Sequence, residues 1–285
     1  MKLSCGDRTL DLATPAVMGI LNLTADSFSD GGRFLGPEGL DLDAVVRRAD
    51  AMVAAGARIL DLGAESTRPG ASPVPVTLEL DRIAAALEVL VPRIDAVFSV
   101  DSSAPEVFPV AAAAGAGMFN DVRALSRDGA LEAATATGLP VCLMHMQGEP
   151  GTMQENPRYG DVVAEVCAFL AARMEAARFA GIVRERVLLD PGFGFGKTLA
   201  HNVRLLAELE RIVELGPPVL VGMSRKGMIG RLTGRPLDTR VAGGVAAAAL
   251  AVDRGARIIR THDVAETVDA VAVAAAVTSA AIDDG

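Results

Sequence analysis

Polar and charged side chains stand at the ends of several short apolar runs in this sequence. Two carboxylates and an amide do so at Asp101, Asn120 and Asp190. A carboxylate accepts paired N–H donors, so these side chains suit the guanidine-like edge of a heterocycle. Lys226 could donate to the carbonyl edge of the same ring. The pattern therefore predicts a polar ligand site that several separate runs contribute to.

A second group of residues suits a phosphate or diphosphate. Arg68, Arg260 and His262 are cations that can hold such an anion. The chain itself is acidic, with a net charge of −9, so the cations for an anionic ligand must be local. Asn22 opens a loop rich in Ser, Asp and Gly, and a hard cation such as Mg²⁺ takes oxygen ligands that it often shares with phosphates.

The elements that must position these residues follow a repeating pattern of a short β-branched run, a polar loop and an Ala-rich amphipathic segment. Eight strands are predicted: Val17–Leu21, Arg58–Leu62, Val97–Val100, Gly117–Asn120, Pro140–His145, Val187–Asp190, Val219–Gly222 and Arg257–Arg260. Helices are predicted at Leu42–Ala55, Thr77–Leu90, Asp161–Ala180, His201–Leu215, Arg240–Arg254 and Val264–Ala276. Eight strands that alternate with helices favour an α/β fold, a closed parallel (β/α)₈ TIM barrel whose site lies at the carboxyl ends of the strands. An open doubly wound sheet is the alternative, but it normally has fewer strands and a Gly-rich first turn.

The predicted boundaries give one domain over residues 1–285. Glycines stand where helices should end, at Gly56, Gly115, Gly138, Gly181, Gly216 and Gly255. Residues 1–12 are typical of a hairpin with a turn at Gly6-Asp7, which would precede the barrel at 17–282 and cover its bottom.

Composition narrows the class of protein. Hydrophobic residues make up 51% of the chain, enough for a large core, and aromatic residues only 4%. The first residues lack the apolar segment of an export signal, and the apolar stretch at 270–282 is too short to span a membrane, which together predict a cytoplasmic enzyme. The acidic charge argues against a nucleic-acid or membrane-surface binder.

Gly192–Gly196 looks at first like a nucleotide-binding loop. A phosphate loop would need glycine at 191, where Pro191 stands, and a dinucleotide fingerprint would need glycine at 197, where Lys197 stands. The glycines are better explained by close approach of the backbone to a flat ligand, with Phe193 or Phe195 against its face.

At these residues the sequence resembles the dihydropteroate synthases, a family of pterin-binding TIM-barrel enzymes. Asn22–Gly32 is similar to the first signature of that family, and Asp61–Gly70 is similar to the second. Further matching segments follow in family order at Ser99–Asp101, Asn120-Asp121, Leu143–Met146, Asp190–Lys197, Met223–Lys226 and Arg260–Asp263. The resemblance covers nearly the whole chain.

The resemblance implies a reaction in folate biosynthesis, the condensation of 6-hydroxymethyl-7,8-dihydropterin diphosphate with p-aminobenzoate, with Mg²⁺ as cofactor. It implies that the pterin is held by Asp101, Asn120, Met144, Asp190, Phe195 and Lys226. The diphosphate is then held by Asn22, Arg68, Arg260 and His262, with Asn22 also on the metal. It places p-aminobenzoate at Thr67, Arg68 and Pro69, assigns catalysis to Asp101, Asp190, Lys226 and Arg260, and implies a homodimer that sulfonamides target.

The sequence departs from the usual family pattern at three positions: Ala25 where proline is common, Ala64 where glycine is common, and Gly227 where serine is frequent. None of them removes a residue that the expected chemistry needs. If that serine hydroxyl touches the aminobenzoate carboxylate, only the backbone N–H of Gly227 is left to do so here.

Other functions and structural roles stay open at this point. A methyltetrahydrofolate methyltransferase, a silent pterin-binding homologue and an unrelated phosphate-binding barrel are the alternatives. Asp101 could be a helix cap, Lys226 a surface lysine and His262 a satisfied loop histidine. Arg260 could instead pair structurally with Asp61 or Asp263. His145 is expected to be structural, and His201 to lie at the surface at the start of a helix.

Overall fold

A computed structural model of the chain describes residues 1–24, 34–36, 39–65 and 74–283. The strands are β1 (Lys2–Cys5), β2 (Arg8–Asp11), β3 (Ala16–Asn22), β4 (Leu35–Gly36), β5 (Gly39–Leu40), β6 (Ile59–Gly63), β7 (Val97–Asp101), β8 (Met118–Asp121), β9 (Val141–Met144), β10 (Val187–Asp190), β11 (Leu220–Gly222) and β12 (Ile258–Thr261). The helices are α1 (Leu42–Ala54), α2 (Val76–Leu90), α3 (Val107–Ala113), α4 (Ala130–Thr137), α5 (Val162–Phe179), α6 (Leu199–Ala207), α7 (Glu210–Val213), α8 (Gly227–Thr233), α9 (Val241–Asp253) and α10 (Val264–Asp283).

The eight predicted strands form one parallel sheet that closes into a barrel. Its order is β10-β9-β8-β7-β6-β3-β12-β11, and a parallel bridge between Leu189 and Val219 joins the first strand to the last. Every strand end lies within one residue of its predicted position. The prediction of a (β/α)₈ barrel is confirmed, and the open doubly wound alternative is wrong.

The helices agree with the predicted segments, except that one segment is divided and that α10, predicted to end at Ala276, continues to Asp283. The predicted segment His201–Leu215 is two helices, α6 and α7, because the chain leaves helical geometry at Glu208 (φ −114°, ψ 28°). The Glu208 carboxylate accepts hydrogen bonds from Arg204 and Arg211 on either side of this break. All six glycines expected to end helices have positive φ, between 68° and 103°.

The amino-terminal hairpin seals one end of the barrel. β1 and β2 pair antiparallel around a turn in which Gly6 has φ of 62°. Leu3, Cys5, Leu10 and Leu12 are buried against one inward side chain from each barrel strand. Those eight residues are Met18, Ile59, Val97, Met118, Cys142, Leu188, Leu220 and Ile258. The hairpin therefore covers the barrel bottom, as predicted.

A larger apolar cluster lies between the outer face of the sheet and the helices. Ala-rich helices allow close approach to the strands, and Ile83, Leu87 and Leu90 of α2 show the helical spacing that buries one face. No helix among the described residues is long and apolar enough to cross a membrane.

Candidate functional site

A layer of polar side chains lies above the apolar barrel bottom. Side chains on a strand alternate between its two faces, so residues two positions after the bottom layer also point into the barrel. These second-layer residues are Ile20, Asp61, Ser99, Asn120, Met144, Asp190, Gly222 and Arg260. Asn22, Asp101 and His262 follow one further step along their strands, at the carboxyl rim. The carboxyl-terminal end of the barrel is therefore polar, as the sequence predicts.

Arg260 forms a fork between two carboxylates in this layer. Its Nε donates to Asp61 Oδ2 at 2.6 Å, and its Nη2 donates to Asp101 Oδ2 at 2.8 Å. Asp61 is fully buried. Burial raises the pKa of Asp101 to about 7, although Arg260 acts in the opposite direction. Asp101 thus lies within the site as a paired carboxylate rather than as a helix cap.

The pairing of Arg260 with Asp61 that the sequence left open is present. Its other possible partner, Asp263, binds Arg225 instead, through Nε at 3.1 Å and Nη2 at 2.5 Å. Burial alone would lower the pKa of Arg260, but Asp61 and Asp101 outweigh it and the net shift is upward. Arg260 therefore stays a cation while it faces the cavity.

Three buried oxygen atoms at the centre of the barrel have no hydrogen-bond partner within the described part of the chain. They are Asp61 Oδ1, Asn120 Oδ1 and Ser99 Oγ. Asn120 Nδ2 donates to Asp61 Oδ2 at 3.2 Å, which fixes the amide so that its oxygen is left over. Buried polar atoms are nearly always satisfied in the working state of a protein. This group is therefore suited to contact a polar ligand or ordered water.

Asp190, Lys226 and Phe195 form a second group of side chains in the site. Lys226 Nζ lies 4.6 Å from the centroid of the Phe195 ring and donates to the Phe193 carbonyl. Burial lowers the pKa of Lys226 to about 8, with Asp190 opposing that shift. Burial also raises the pKa of Asp190, and Lys226 is the largest opposing influence. A flat ring placed here would meet an aromatic face, an ammonium and a carboxylate.

An open cavity of about 580 Å³ joins these groups. The predicted residues in its wall are Asn22, Asp101, Phe195, Lys226, Arg260 and His262. The predicted pterin residues Asn120, Met144 and Asp190 are buried and do not line it directly. Thr67, Arg68 and Pro69 lie outside the described residues, as do Ala25 and most of the first signature.

His262 and Ser224 form another part of the cavity wall. Ser224 Oγ is 3.1 Å from His262 Nδ1 and accepts the His262 backbone N–H at 3.2 Å. Between Ser224 and Lys226, Arg225 has a left-handed backbone with φ of 58°. A non-glycine residue in this region is strained unless its surroundings hold it, and here Arg240 Nη1 donates to the Arg225 carbonyl at 2.9 Å.

Two histidines occupy structural positions. His145 is buried, and burial followed by the nearby Lys197 lowers its pKa to about 3. Its ring packs edge-on against Phe169, with centroids 4.9 Å apart. His201 closes a capping box with Thr198 at the start of α6.

Two side chains near the cavity were not selected from the sequence. Lys197 and Asn202 are each 3% exposed, and both also contribute to the cavity wall. The only signal for Lys197 was its place directly after alternating glycines, and there it served just to exclude a nucleotide loop. Asn202 had no signal, because a polar residue in a helix is normally taken to be at the surface.

Comparison with known proteins places this geometry among related barrels. A model of the family described as "Pterin binding enzyme" matches residues 18–262. Dihydropteroate synthase of Escherichia coli strain K12 is 52% identical over 280 residues, which cover 98% of each chain. The dihydropteroate synthase of Yersinia pestis, solved in a complex with a sulfonamide drug, has a TM-score of 0.94 and 50% identity, over 98% of this chain and 100% of that one. The synthase from Xanthomonas albilineans in complex with 7,8-dihydropteroate has a TM-score of 0.87 and 49% identity, over 97% of this chain and 98% of the other.

Proposed function

The chain belongs to the dihydropteroate synthase family of pterin-binding enzymes, and on that premise we propose the substrates, residue roles and reaction course that follow. The substrates are 6-hydroxymethyl-7,8-dihydropterin diphosphate and p-aminobenzoate, and the products are 7,8-dihydropteroate and diphosphate. A solved relative in complex with 7,8-dihydropteroate supports this choice of product.

The observation that carries the proposal is that one cavity is lined by two chemical kinds of side chain. Lys226 and Phe195, with the buried Asp190 acting on Lys226, suit a flat heterocycle with N–H donors and a carbonyl. Arg260 and His262 line the same cavity and suit an anion. A dihydropterin joined through one methylene to a diphosphate presents both kinds of group.

The proposed reaction needs no covalent bond to the protein. The C–O bond between the pterin methylene and the diphosphate breaks, and its electron pair leaves with the diphosphate. Arg260 and His262 stabilise the departing anion, while Asp101 and Asp190 stabilise the positive charge that develops on the pterin. The aminobenzoate nitrogen then attacks the methylene carbon and releases a proton.

Diphosphate binding is proposed to loosen one of the two ion pairs of Arg260. In the structure Arg260 binds Asp61 and Asp101 together. Asp61 is fully buried and holds Nε, so Asp101 at the rim is the partner that the diphosphate displaces. Once displaced from Arg260, Asp101 would be a free carboxylate beside the developing cation. Diphosphate binding would thus make available the negative charge that stabilises the pterin cation.

Magnesium is the proposed cofactor, and the residues fit a site that shares its ligands with substrate. Within the described ranges, three or more His, Cys, Asp or Glu residues nowhere meet as a metal-binding group. Asn22 offers an amide oxygen and Asp101 a carboxylate at the cavity wall, and both Asn22 Oδ1 and Asp101 Oδ2 lie beside Gly63. Phosphate oxygens and water complete such a shell in many proteins. When bound, the ion would neutralise charge on the leaving diphosphate.

The aminobenzoate site is proposed at Thr67, Arg68 and Pro69. Gly227 lines the cavity, and a Cβ built there meets no atom of the described residues within 4 Å. Among those residues the space that a serine hydroxyl would fill is therefore open, and the carboxylate of p-aminobenzoate is proposed to depend more on Arg68.

A catalytically silent pterin-binding homologue remains the second candidate. Its site would keep the ring-binding side chains and lose the anion-binding ones. The Asp61–Arg260–Asp101 fork and the Ser224–His262 contact favour the active synthase.

A homodimer in the cytoplasm is the proposed state of the molecule. Its support is the exposed apolar side chains on neighbouring late helices, Leu250 on α9 and Val273 and Val277 on α10. Light scattering on the purified protein tests the dimer, and a monomer at micromolar concentration would contradict it.

The deciding experiment measures diphosphate release from the pterin substrate with Mg²⁺, with and without p-aminobenzoate. Enzyme-dependent release that gives dihydropteroate only with the amine supports the synthase. Pterin binding without turnover supports the silent homologue, and no pterin binding contradicts both.

A further inference from the structure

Lys197 is a buried cation surrounded by backbone carbonyls. Its Nζ donates to the carbonyls of Gly192 and Phe195, each at 3.0 Å, and to that of His145 at 3.3 Å. His145 Nδ1 lies 2.9 Å away, and because an ammonium can only donate, this nitrogen is the acceptor. The side chain of Lys197 thus ties the end of β9 to both ends of the turn that carries Phe195.

The Gly192–Gly196 turn has a backbone conformation that needs glycine and supporting contacts. Gly192, Gly194 and Gly196 all have positive φ, and a Cβ at Gly192 would lie 1.9 Å from the His145 carbonyl oxygen. The turn therefore folds back tightly onto β9. Its carbonyl groups point inward, and such buried acceptors need a donor.

Other donors and acceptors hold the same turn, and Lys226 also donates to its Phe193 carbonyl, but Lys197 makes two hydrogen bonds to the turn. Asn202 Oδ1 accepts the Gly194 N–H at 2.7 Å, and the Tyr159 hydroxyl donates to the Gly196 carbonyl at 2.8 Å. Hydrogen bonds from a charged donor are stronger than neutral ones. Among these contacts, one made by Lys197 reaches Phe195 itself.

The charge of Lys197 also acts on the pterin side of the cavity. Burial lowers the pKa of Lys197 to about 7, and the attraction of Asp190 is the main opposing influence. Asp190 in turn is kept toward its charged form by Lys226 and by Lys197. Lys197 and Lys226 therefore both favour the charged form of Asp190, and Phe195 packs against Lys226.

We propose that Lys197 is a positioning residue for the pterin: its ammonium fixes the Gly192–Gly196 turn so that the Phe195 ring and the Lys226 amine face the ring-binding part of the cavity. This inference rests on the proposed function, because it names a determinant of that same site. Lys197 would touch no reacting atom, and its effect would pass through Phe195 and Asp190.

The test compares Lys197→Met with the wild-type protein. Methionine keeps an unbranched chain of similar length and removes the charge. The dissociation constant for 6-hydroxymethylpterin should rise by about tenfold or more, the scale of a lost hydrogen bond to a charged group. The KM for p-aminobenzoate should change by less than about threefold, because that substrate does not depend on the turn.

A matched control separates positioning from general loss of stability. Arg173 also donates to two backbone carbonyls of a strained turn, those of Ala124 and Leu125, both at 2.8 Å, but neither residue lines the cavity. Arg173→Met should lower the thermal midpoint without weakening pterin binding. If both variants weaken pterin binding in proportion to their loss of thermal stability, the positioning role is wrong.

A double-mutant cycle with Phe195→Ala tests whether Lys197 affects pterin binding through Phe195. If Lys197 acts through Phe195, adding Lys197→Met to Phe195→Ala should weaken pterin binding by much less than it does in the wild type. Fully additive losses would overturn the proposal. Wild-type protein that binds no pterin would instead contradict the proposed function, so the two failures are distinguishable.

Discussion

Asp61 and Asp101 share one guanidinium, and their unequal burial decides which of them can act on a substrate. Asp61 is sealed inside the barrel and holds Arg260 in place, whereas the side chain of Asp101 is 15% exposed at the rim. The sequence identified Asp101 because it ends a strand, but it could not rank the two carboxylates. Burial and pairing come from the closure of the barrel, which brings β12 beside β3 and β6 although they are far apart in sequence.

Asp101→Asn should lower kcat by more than roughly a hundredfold, the scale of one electrostatic contact in a shielded site. The amide keeps the shape but removes the negative charge beside the pterin cation. Steady-state diphosphate release measures the effect. Asp95→Asn is the control, since Asp95 is a highly exposed carboxylate paired with Arg8. An unchanged rate for Asp101→Asn would rule out its electrostatic role.

The turn after β10 shows how an element constrains the choice of residue. Its glycines are visible in the sequence and predicted close approach of backbone, but the sequence suggested that the approach was to a ligand. In the structure, two of these glycines approach the protein itself, because a Cβ at Gly192 or Gly196 would meet the carbonyl oxygen of His145 or Gln147. The glycines thus serve first to fold the turn onto β9, and the ligand site follows from that.

Gly192→Ala should destabilise the protein by about 2 kcal/mol or more, because the added methyl meets a backbone oxygen and the residue has φ of 67°. Urea unfolding monitors the change. Gly227→Ala lies in the first turn of α8 with open space around the new Cβ, so it should leave the unfolding free energy within about 0.5 kcal/mol. Equal effects of the two substitutions would contradict the close approach at Gly192.

The first turn of α2 contains the carboxylate of Glu79 in a buried position, where its charged form is disfavoured. Glu79 is 3% exposed, and its Oε1 has no hydrogen-bond partner among the residues described. Burial raises the pKa of Glu79 above its usual value, while Ser102 opposes the shift. The sequence gave no sign of this, because a glutamate in the first turn of a helix is normally favourable and exposed.

Glu79→Gln should raise the thermal midpoint at pH 8 by about 2–4 °C, equivalent to about 1 kcal/mol for a chain of this size. A raised carboxyl pKa means that the folded protein binds a proton that the unfolded chain releases, so stability falls as pH rises through the range between the two pKa values. The benefit of glutamine should therefore shrink as pH falls toward the usual glutamate pKa. Glu88→Gln on the exposed face of α2 is the control. A benefit that does not depend on pH would contradict this account.

At the scale of the whole molecule, the two ends of the barrel have opposite character. The bottom is an apolar layer under the hairpin, and the top is the polar cavity. Alternation of strands and helices was enough to predict the closed barrel and the end that carries the polar residues, and the turn at Gly6-Asp7 predicted the hairpin. The sequence left the pairing of Arg260 with Asp61 open beside a pairing with Asp263, and it could not choose between them, because Asp61 and Arg260 are 199 positions apart.

Leu10→Ala in the hairpin should destabilise the protein by about 2–5 kcal/mol and leave kcat/KM unchanged at temperatures where the protein is folded. Leu10 is 2% exposed beneath the barrel, on the side away from the cavity. Chemical unfolding and an activity assay on the same sample measure both quantities. Leu78→Ala, at a side chain that is 40% exposed, should change stability far less. A loss of kcat/KM in folded Leu10→Ala protein would show that the two ends are coupled.

Each barrel strand contributes one residue to the apolar layer under the hairpin and another to the layer at the cavity, so selection for stability and selection for binding act on different positions of the same strand. On β12, Ile258 faces the sealed bottom and Arg260, two positions later, faces the cavity. Variation that tunes substrate or inhibitor recognition can therefore accumulate at one end of a strand while the other end keeps the protein folded. Such a molecule can change its ligand specificity without first losing stability. Gly227 is a position where such a change can occur, because a Cβ built there meets no described atom within 4 Å.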